Sequence, residues 1–180
     1  MEFHDIDILF LIVYNHIIVE YHEKRGKNMI IAFAGHRFVA SQEETKKRIK
    51  SAIREIASSC DTISCYCGGY GEFDNLCASA SNELKKEGFN IETVLVTPYL
   101  TLPRQNIISQ LLKEKKYDTV IYPPLEKVPP RFAISKRNEW MIKQADAVIV
   151  YINHTYGGAY NSFLVARRNK KRIINVYEDK

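Results

Sequence analysis

The 180-residue sequence contains only four cysteines, and their spacing excludes a common kind of metal site. Cys60, Cys65, Cys67 and Cys77 form neither a C-x-x-C pair nor a zinc-ligand pattern, so the sequence predicts no metal and no bound cofactor. Cys65 and Cys67 stand two apart on a predicted strand and are expected to be small buried residues. Cys77 is expected in a helix core rather than as a nucleophile. Unpaired thiols of this kind fit a reducing cytoplasm.

Long apolar runs are also missing. Near the N-terminus the uninterrupted run Ile8 to Tyr14 is too short to span a bilayer. Acidic residues precede it where a signal peptide would carry Lys or Arg, and no small-residue cleavage site follows. We therefore expect neither secretion nor a membrane partner.

Two phosphate-binding motifs are absent as well. The sequence has no G-x-x-x-x-G-K-[ST] loop, which argues against ATP hydrolysis. It has no complete G-x-G-x-x-G followed by a suitably placed acidic residue, which argues against hydride transfer from a dinucleotide.

The composition is that of an ordinary globular domain. The chain is 46% apolar and 26% charged, and its formal net charge is +5. This length allows one domain with a full core. The modest positive charge suits an anionic ligand or weak contact with nucleic acid, although a solvated basic surface has the same composition.

Residues 1–28 are interpreted as an N-terminal extension, with the domain spanning 29–180. One hypothesis is that the extension does not belong to the natural protein, because Met29 stands directly before the first clear strand. The alternative is an added strand or helix that packs on the domain.

From Met29 onward, short apolar runs alternate with amphipathic helical patterns, which predicts an α/β fold. We expect a single Rossmann-like domain with a mostly parallel sheet and helices on both faces. Ser41 and Glu44 predict a capping box at the first helix. The predicted strands are 29–34, 62–67, 91–97, 119–122, 147–152 and 172–176, and the predicted helices are 41–58, 73–86, 105–115, 131–144 and 159–168.

Two glycine turns follow predicted strands and open helices. Gly68, Gly69 and Gly71 follow the second strand, and Gly157 and Gly158 follow the fifth. Such a turn leaves backbone N–H groups unpaired at a helix N-terminus, where the helix dipole favours an anion. Together the two turns predict a phosphate or nucleotide site beyond the carboxyl ends of the strands.

Polar residues at the same edge complete the candidate site. The turn after the first strand supplies Gly35, His36 and the cation Arg37. The other members are two carboxylates and an amide, namely Glu72, Asp74 and Asn161. On the fourth helix, spacing alone favours Arg137 as a solvated residue and Trp140 and Met141 as core. The alternative is that Arg137 and Asn138 face the crevice and bind an anion or a ribose.

The order of these motifs resembles the SLOG superfamily. G-H-R follows the first strand, G-G-x-G-x-F-D the second, and R-N-x-x-M lies on a helix before A-D-A-x-I-V and a Gly-Gly turn. That superfamily includes DprA, YpsA-like bacterial proteins, lonely-guy phosphoribohydrolases and TRPM ligand-sensing domains. The resemblance covers residues 30–176 and is closest to the YpsA-like branch.

The resemblance implies a nucleotide-derived ligand such as ADP-ribose, an NAD-related molecule or a nucleoside monophosphate. It places the glycine turns at the phosphate, Asp74 near the ligand, and Arg137 and Asn138 in the site. Self-association is a further expectation, although no sequence feature fixes an interface.

Three functions follow. The leading hypothesis is a sensor or binding module for the nucleotide ligand. An N-glycosidic hydrolase or transferase is the alternative, but Leu164 stands where lonely-guy enzymes have their catalytic glutamate, so only Asp74 or Glu72 is left to act. The third is single-stranded DNA binding as in DprA, through a basic set that also fits a solvated face: Lys46, Lys47, Arg48, Arg167, Arg168, Lys170, Lys171 and Arg172.

Overall fold

The computed structural model describes residues 28–178. The expectations for the N-terminal extension therefore lie outside the described residues, except for Asn28, which begins the first strand. Strands and helices alternate: β1 Asn28–Gly35, α1 Gln42–Ala57, β2 Thr62–Cys67, α2 Glu72–Lys86, β3 Ile91–Val96, α3 Leu102–Lys113, β4 Thr119–Ile121, α4 Pro130–Gln144, β5 Ala147–Tyr151, α5 Gly157–Arg168 and β6 Arg172–Asn175.

The six strands form one parallel sheet in the order β4-β3-β2-β1-β5-β6. The predicted α/β fold with a single Rossmann-like sheet is confirmed, and every strand pair is parallel. From β1 the chain steps outward to β4 and then returns across the sheet to β5, on the other side of β1. This reversal places the crevice of an open α/β sheet between the carboxyl ends of β1 and β5.

The helices cover both faces of the sheet, and each face of the sheet has its own apolar core. One core joins α1, α2 and α3 to the sheet through residues such as Ile49, Phe73 and Ile108. The other joins α4 and α5 through Met141 and Ala166. Both faces of the central strands are buried, which explains why those strands are apolar along their whole length.

The predicted burial of Cys65, Cys67 and Cys77 is confirmed, and the predicted capping box at Ser41 is wrong. Cys65, Cys67 and Cys77 are fully buried free thiols. Ser41 does occupy the N-cap position of α1, but its side chain makes no capping hydrogen bond. The first turn of α1 is held instead by the backbone bond from Thr45 N–H to the Ser41 carbonyl, at 2.9 Å.

Candidate functional site

The predicted site residues fall into three groups along the carboxyl edge of the sheet. The first follows β1, the second is the turn between β2 and α2, and the third lies between α4 and α5. The switch between β1 and β5 sets the end of β1 beside the loop that leads into α5, although more than a hundred residues separate them in the chain.

At the end of β1, a backbone hydrogen bond holds His36 against the neighbouring strand β5. Its N–H donates to the carbonyl of Tyr151 on β5, at 3.2 Å. Gly35 has a packing role, because a Cβ there would lie 2.3 Å from the ring of Phe73. Arg37 is exposed, and its carbonyl accepts a hydrogen bond from Glu72 N–H at 2.9 Å. Arg37 is thus an exposed cation on an anchored backbone at this edge.

Three rings stack at the switch point. The ring centroid of His36 is 3.5 Å from that of His154, and His154 is 3.9 Å from Tyr156. Nε2 of His36 and Nδ1 of His154 are buried and have no hydrogen-bond partner within the described residues. Desolvation and the neighbouring His154 lower the pKa of His36, so its ring is neutral at pH 7. The outermost ring, Tyr156, is 70% exposed.

The glycines after β2 are enclosed by the protein's own side chains. A Cβ at Gly68 would lie 2.4 Å from Nη1 of Arg137, and one at Gly69 would lie 2.6 Å from Leu95. Gly69 and Gly71 have φ of 73° and 90°, which L side chains rarely adopt. Internal packing and backbone conformation therefore account for this glycine cluster without a ligand.

The two carboxylates of this turn are engaged by backbone groups. Glu72 accepts a hydrogen bond from Val39 N–H at 2.8 Å and so fixes the loop after β1. Asp74 accepts one from Tyr70 N–H at 2.9 Å. Desolvation raises the pKa of Asp74 above its ordinary value, while the Arg137 charge opposes that shift.

Arg137 is buried, so the interpretation of Arg137 as a solvated helix residue is wrong. Its side chain reaches from α4 to the carboxyl ends of β2 and β3, and the residue is 2% exposed. Nη1 donates to the carbonyl of Val96 at 2.8 Å. Met141 is core as predicted, and Trp140 stacks on Tyr66 with ring centroids 6.0 Å apart.

Arg104 and Tyr70 belong to the same region and were not identified from the sequence. Nε of Arg104 donates to Oγ1 of Thr97 at 3.2 Å, and its guanidinium lies 4.9 Å from the centre of the Tyr70 ring. Arg104 fell between a predicted loop and a helix predicted to start at Gln105. Its location beside Pro103, in the first turn of α3, was the available indication.

A groove of about 370 Å³ lies between α4 and α5. It brings together three predicted site residues, Asn138, Gly158 and Asn161, with the cations Arg131 and Lys136.

One carboxylate, Glu139, also lines this groove. Hydrogen bonds from Lys143 and Lys136 lower the pKa of Glu139 to about 2. The groove thus combines amides, cations and an ionised carboxylate, and Glu139 is no general acid at neutral pH.

The turn before α5 is open, in contrast to the turn after β2. Nothing lies within 4 Å of a Cβ placed at Gly157 or Gly158, and Gly157 has a φ of 85°. Tyr156 is the N-cap residue and makes no side-chain capping bond. The first N–H groups of α5 therefore have no capping partner among the described residues.

The basic set considered for DNA binding does not form one groove. Lys46 pairs with Glu83 at 3.1 Å, and Arg172 pairs with Glu55. The residues from Arg167 onward close α5 and open β6, at the amino edge opposite the glycine turns. The interpretation of this set as a solvated face is the one that the structure favours.

Within residues 28–178, no helix is both long and apolar enough to cross a membrane. The same part of the chain holds no cluster of three or more His, Cys, Asp or Glu residues arranged for a metal ion.

No protein-family model matches the chain. No curated protein sequence matches it either.

Solved structures do match. DNA processing protein A (DprA) from Streptococcus pneumoniae has a TM-score of 0.59 at 17% identity, over 82% of this chain and 52% of its own. DNA processing protein A from Helicobacter pylori, in a study of its single-stranded DNA binding mode, has a TM-score of 0.55 at 20% identity, over 82% of this chain and 64% of its own.

The chain shares the DprA fold. This likeness shows the fold alone, and membership of the SLOG superfamily stays a prediction. The chain spans 52% and 64% of the two DprA chains, and closeness to the YpsA-like branch stays a prediction.

Proposed function

We propose that this protein is a SLOG-type binding module for a nucleotide-derived ligand, held at the carboxyl edge of its sheet. The observation that carries the proposal is the open N-terminal turn of α5 beside the three stacked rings, at the switch point between β1 and β5. ADP-ribose, NAD-related molecules and nucleoside monophosphates share the chemistry that these features recognise.

The phosphate binds at the first turn of α5. Gly157 and Gly158 leave room for an anion to reach the backbone N–H groups, since nothing lies within 4 Å of the position that a Cβ would take at either glycine. The α5 dipole adds positive potential there. Arg131 and Lys136, in the adjoining groove, increase that potential.

The base stacks on the exposed face of Tyr156. The inner face of this ring is covered by His154, and the outer face is free for a second aromatic system. Asn138 and Asn161 line the groove and would bind ribose hydroxyls through their amide groups.

The test is calorimetric titration of the full chain with AMP, ADP-ribose and NAD, together with an assay for released base. Tyr156→Ala should weaken binding about tenfold, in line with the ~1–3 kcal/mol lost with one stacked base. Ile107→Ala is the matched control, because it truncates an exposed apolar side chain on α3. Equal affinities of the two variants, or no binding of any of the three compounds, would contradict the proposal.

Single-stranded DNA binding is a second candidate, favoured by exposed rings and cations at the same edge. Phe38 is 74% exposed in the loop after β1, beside exposed Arg37, and Tyr156 follows β5. Two such rings and a cation suit consecutive stacked bases and a phosphate. The fold is shared with DprA, whose Helicobacter pylori form is described as binding single-stranded DNA.

Phe38→Ala separates the two candidates. A labelled oligothymidine, followed by fluorescence anisotropy at two salt concentrations, should lose affinity in both Phe38→Ala and Tyr156→Ala if DNA is the ligand, and affinity should fall steeply with salt. A mononucleotide ligand should respond only to Tyr156→Ala. No oligonucleotide binding at low salt would reject the DNA candidate.

The hydrolase alternative keeps Asp74 or Glu72 as its acidic group, and both carboxylates accept backbone hydrogen bonds in the structure. Leu164, half-buried on α5, offers no acid or base in place of the lonely-guy glutamate. Release of free base that disappears in Asp74→Asn, with affinity preserved, would identify an enzyme. Binding without release in the native sequence identifies a sensor or carrier.

A further inference from the structure

Two arginines from opposite faces of the sheet converge on one tyrosine ring. Arg104 comes from α3 and Arg137 from α4, and their guanidinium carbons lie 4.9 and 5.5 Å from the centre of the Tyr70 ring. Tyr117, which precedes β4, is 2% exposed and places its hydroxyl 3.7 Å from a Cβ built at Gly69. We call Tyr70, Arg104, Tyr117 and Arg137 the arginine cluster.

The arginine cluster contains buried polar atoms without partners. Nε of Arg137, Nη2 of Arg104 and Oη of Tyr117 are each buried and make no hydrogen bond within the described residues. Buried donors are normally paired, because an unpaired one loses its bonds to water and gains none in return. Nη2 of Arg104 and Oη of Tyr117 lie 3.5 and 3.7 Å from the Cβ position of Gly69, and the Arg137 guanidinium lies beside the neighbouring Gly68. Unpaired donors gathered at this turn indicate an acceptor that binds them.

The charge of the arginine cluster is also unbalanced. Burial lowers the pKa of Arg137. The negative charge of Asp74 raises that pKa, whereas the positive charge of Arg104 lowers it further. Burial raises the pKa of the Cys67 and Cys77 thiols well above their ordinary value, so neither supplies a thiolate. Two guanidinium groups therefore face one carboxylate in a desolvated site, where uncompensated charge is unfavourable.

The geometry points to an oxoanion site, in which a phosphate group binds between Arg104 and Arg137 and takes the place of the Tyr70 ring. Guanidinium groups match the oxygen atoms of phosphate through paired N–H donors. The Tyr117 hydroxyl donates a further hydrogen bond. Tyr70 is suited to move, because it is 36% exposed and lies between Gly69 and Gly71, both with positive φ.

This phosphate site goes beyond the proposed nucleotide site and is separate from it. The α5 turn follows β5, whereas the arginine cluster lies at β2 and β3, with β1 in between. At the usual strand spacing, the two positions are about 10–14 Å apart along the sheet. A single phosphate group does not reach both positions.

The probe is inorganic phosphate, titrated against the full chain by calorimetry with chloride at equal ionic strength as the reference. Arg104→Gln should weaken phosphate binding at least tenfold, and Tyr70→Ala should strengthen it several-fold by removing the ring that covers the guanidinium groups. Arg168→Gln is the matched control, because Arg168 is an exposed arginine at the amino edge. Arg104→Lys should restore part of the affinity, since it keeps the charge but not the paired donors.

Tyr156→Ala distinguishes this proposal from the nucleotide site. Retained phosphate binding in Tyr156→Ala, with loss in Arg104→Gln, supports the arginine cluster as a site of its own. The proposal is overturned if the native sequence does not bind phosphate, if Arg104→Gln binds it as tightly as Arg168→Gln, or if Tyr70→Ala weakens it. Circular dichroism of each variant excludes unfolding as the cause.

Discussion

The two glycine turns look alike in the sequence and differ in their surroundings. Each follows an apolar strand and opens a helix. In the turn after β2, side chains of the protein fill the space next to Gly68 and Gly69, whereas the space beside Gly157 and Gly158 in the turn before α5 is open. A strand–glycine–helix pattern therefore has two distinct physical causes in one domain.

This difference assigns different roles to the two turns. After β2, the absence of Cβ atoms lets Arg137 and Leu95 approach the backbone, so the glycines serve internal packing. Before α5, the absence of Cβ atoms leaves helix N–H groups accessible from outside. Substitutions by alanine should therefore cause a steric clash in the first turn, whereas in the second they should cause no clash and should reduce the space for a ligand.

Gly69→Ala should have the largest effect. It combines a left-handed φ of 73° with a Cβ position 2.6 Å from Leu95, a buried core residue. We expect a loss of about 2–4 kcal/mol in the free energy of unfolding, from backbone strain and overpacking together. Urea denaturation measures it. Gly88→Ala is the matched control, because Gly88 has a φ of 98° and nothing within 4 Å of the Cβ position, and it should lose less.

Gly68→Ala should come next. Its Cβ would lie 2.4 Å from Nη1 of Arg137 and 2.8 Å from Oδ2 of Asp74. Since Nη1 is also bonded to the Val96 carbonyl, it does not move without losing that bond. We expect about 1–3 kcal/mol of destabilisation in the same denaturation assay. Native-like stability would show that the Arg137 side chain is free to move aside.

Gly157→Ala should cost less than Gly69→Ala, because only the backbone is strained. The φ of 85° is left-handed, but no atom lies within 4 Å of the Cβ position. A loss of about 1–2 kcal/mol in the free energy of unfolding is expected. A loss as large as that of Gly69→Ala would remove the contrast between the two turns.

Gly158→Ala should slightly stabilise the fold, in contrast to the three substitutions above. Gly158 lies within α5 and its Cβ position is open, so alanine should stabilise the fold by about 0.4–1 kcal/mol. The same methyl group occupies the space proposed for phosphate, so affinity for AMP should fall while the melting temperature rises. A gain in both quantities would argue against phosphate binding at this turn.

The smallest effect concerns the ring stack beside the open turn. Because desolvation lowers the pKa of His36 below the ordinary 6.5, the unfolded chain binds more protons than the folded one just below pH 6.5. The contribution of His36 to stability is thus complete above pH 6.5 and is lost as the pH falls toward the folded pKa. His36→Gln should flatten the pH dependence of the free energy of unfolding below about pH 6.5. If the free energy of unfolding of His36→Gln depends on pH as steeply as that of the native sequence, the pKa of His36 is not lowered by folding.

The local structure could be predicted closely from the sequence. The strand from Thr62 to Cys67 has the predicted bounds, and the helix after it ends at Lys86 as predicted but begins at Glu72, one residue earlier. Such agreement is expected, because the spacing of apolar residues and the glycines or prolines that end an element act over near neighbours in the chain. The fifth helix begins at Gly157 rather than Ala159, since glycine was interpreted only as a turn residue. Ser41 shows the limit, because a cap residue type does not fix side-chain geometry.

The site could be predicted only in part. Asn138, Gly158 and Asn161 line one groove, and their role in binding stays a prediction. Arg104 and the stack of His154 on His36 were missed, because these contacts join segments that are distant in the chain. No periodicity or motif spacing encodes such a pair.

The sequence by itself determined the alternation of strands and helices, the parallel sheet and the location of the glycine turns at its carboxyl edge. Only the tertiary structure decided the strand order, which of the two turns is filled, and that Arg104 and Arg137 meet at Tyr70 from opposite faces. The physical reason is that secondary structure follows from interactions over a few residues. Side-chain environment follows from the order in which the strands pack.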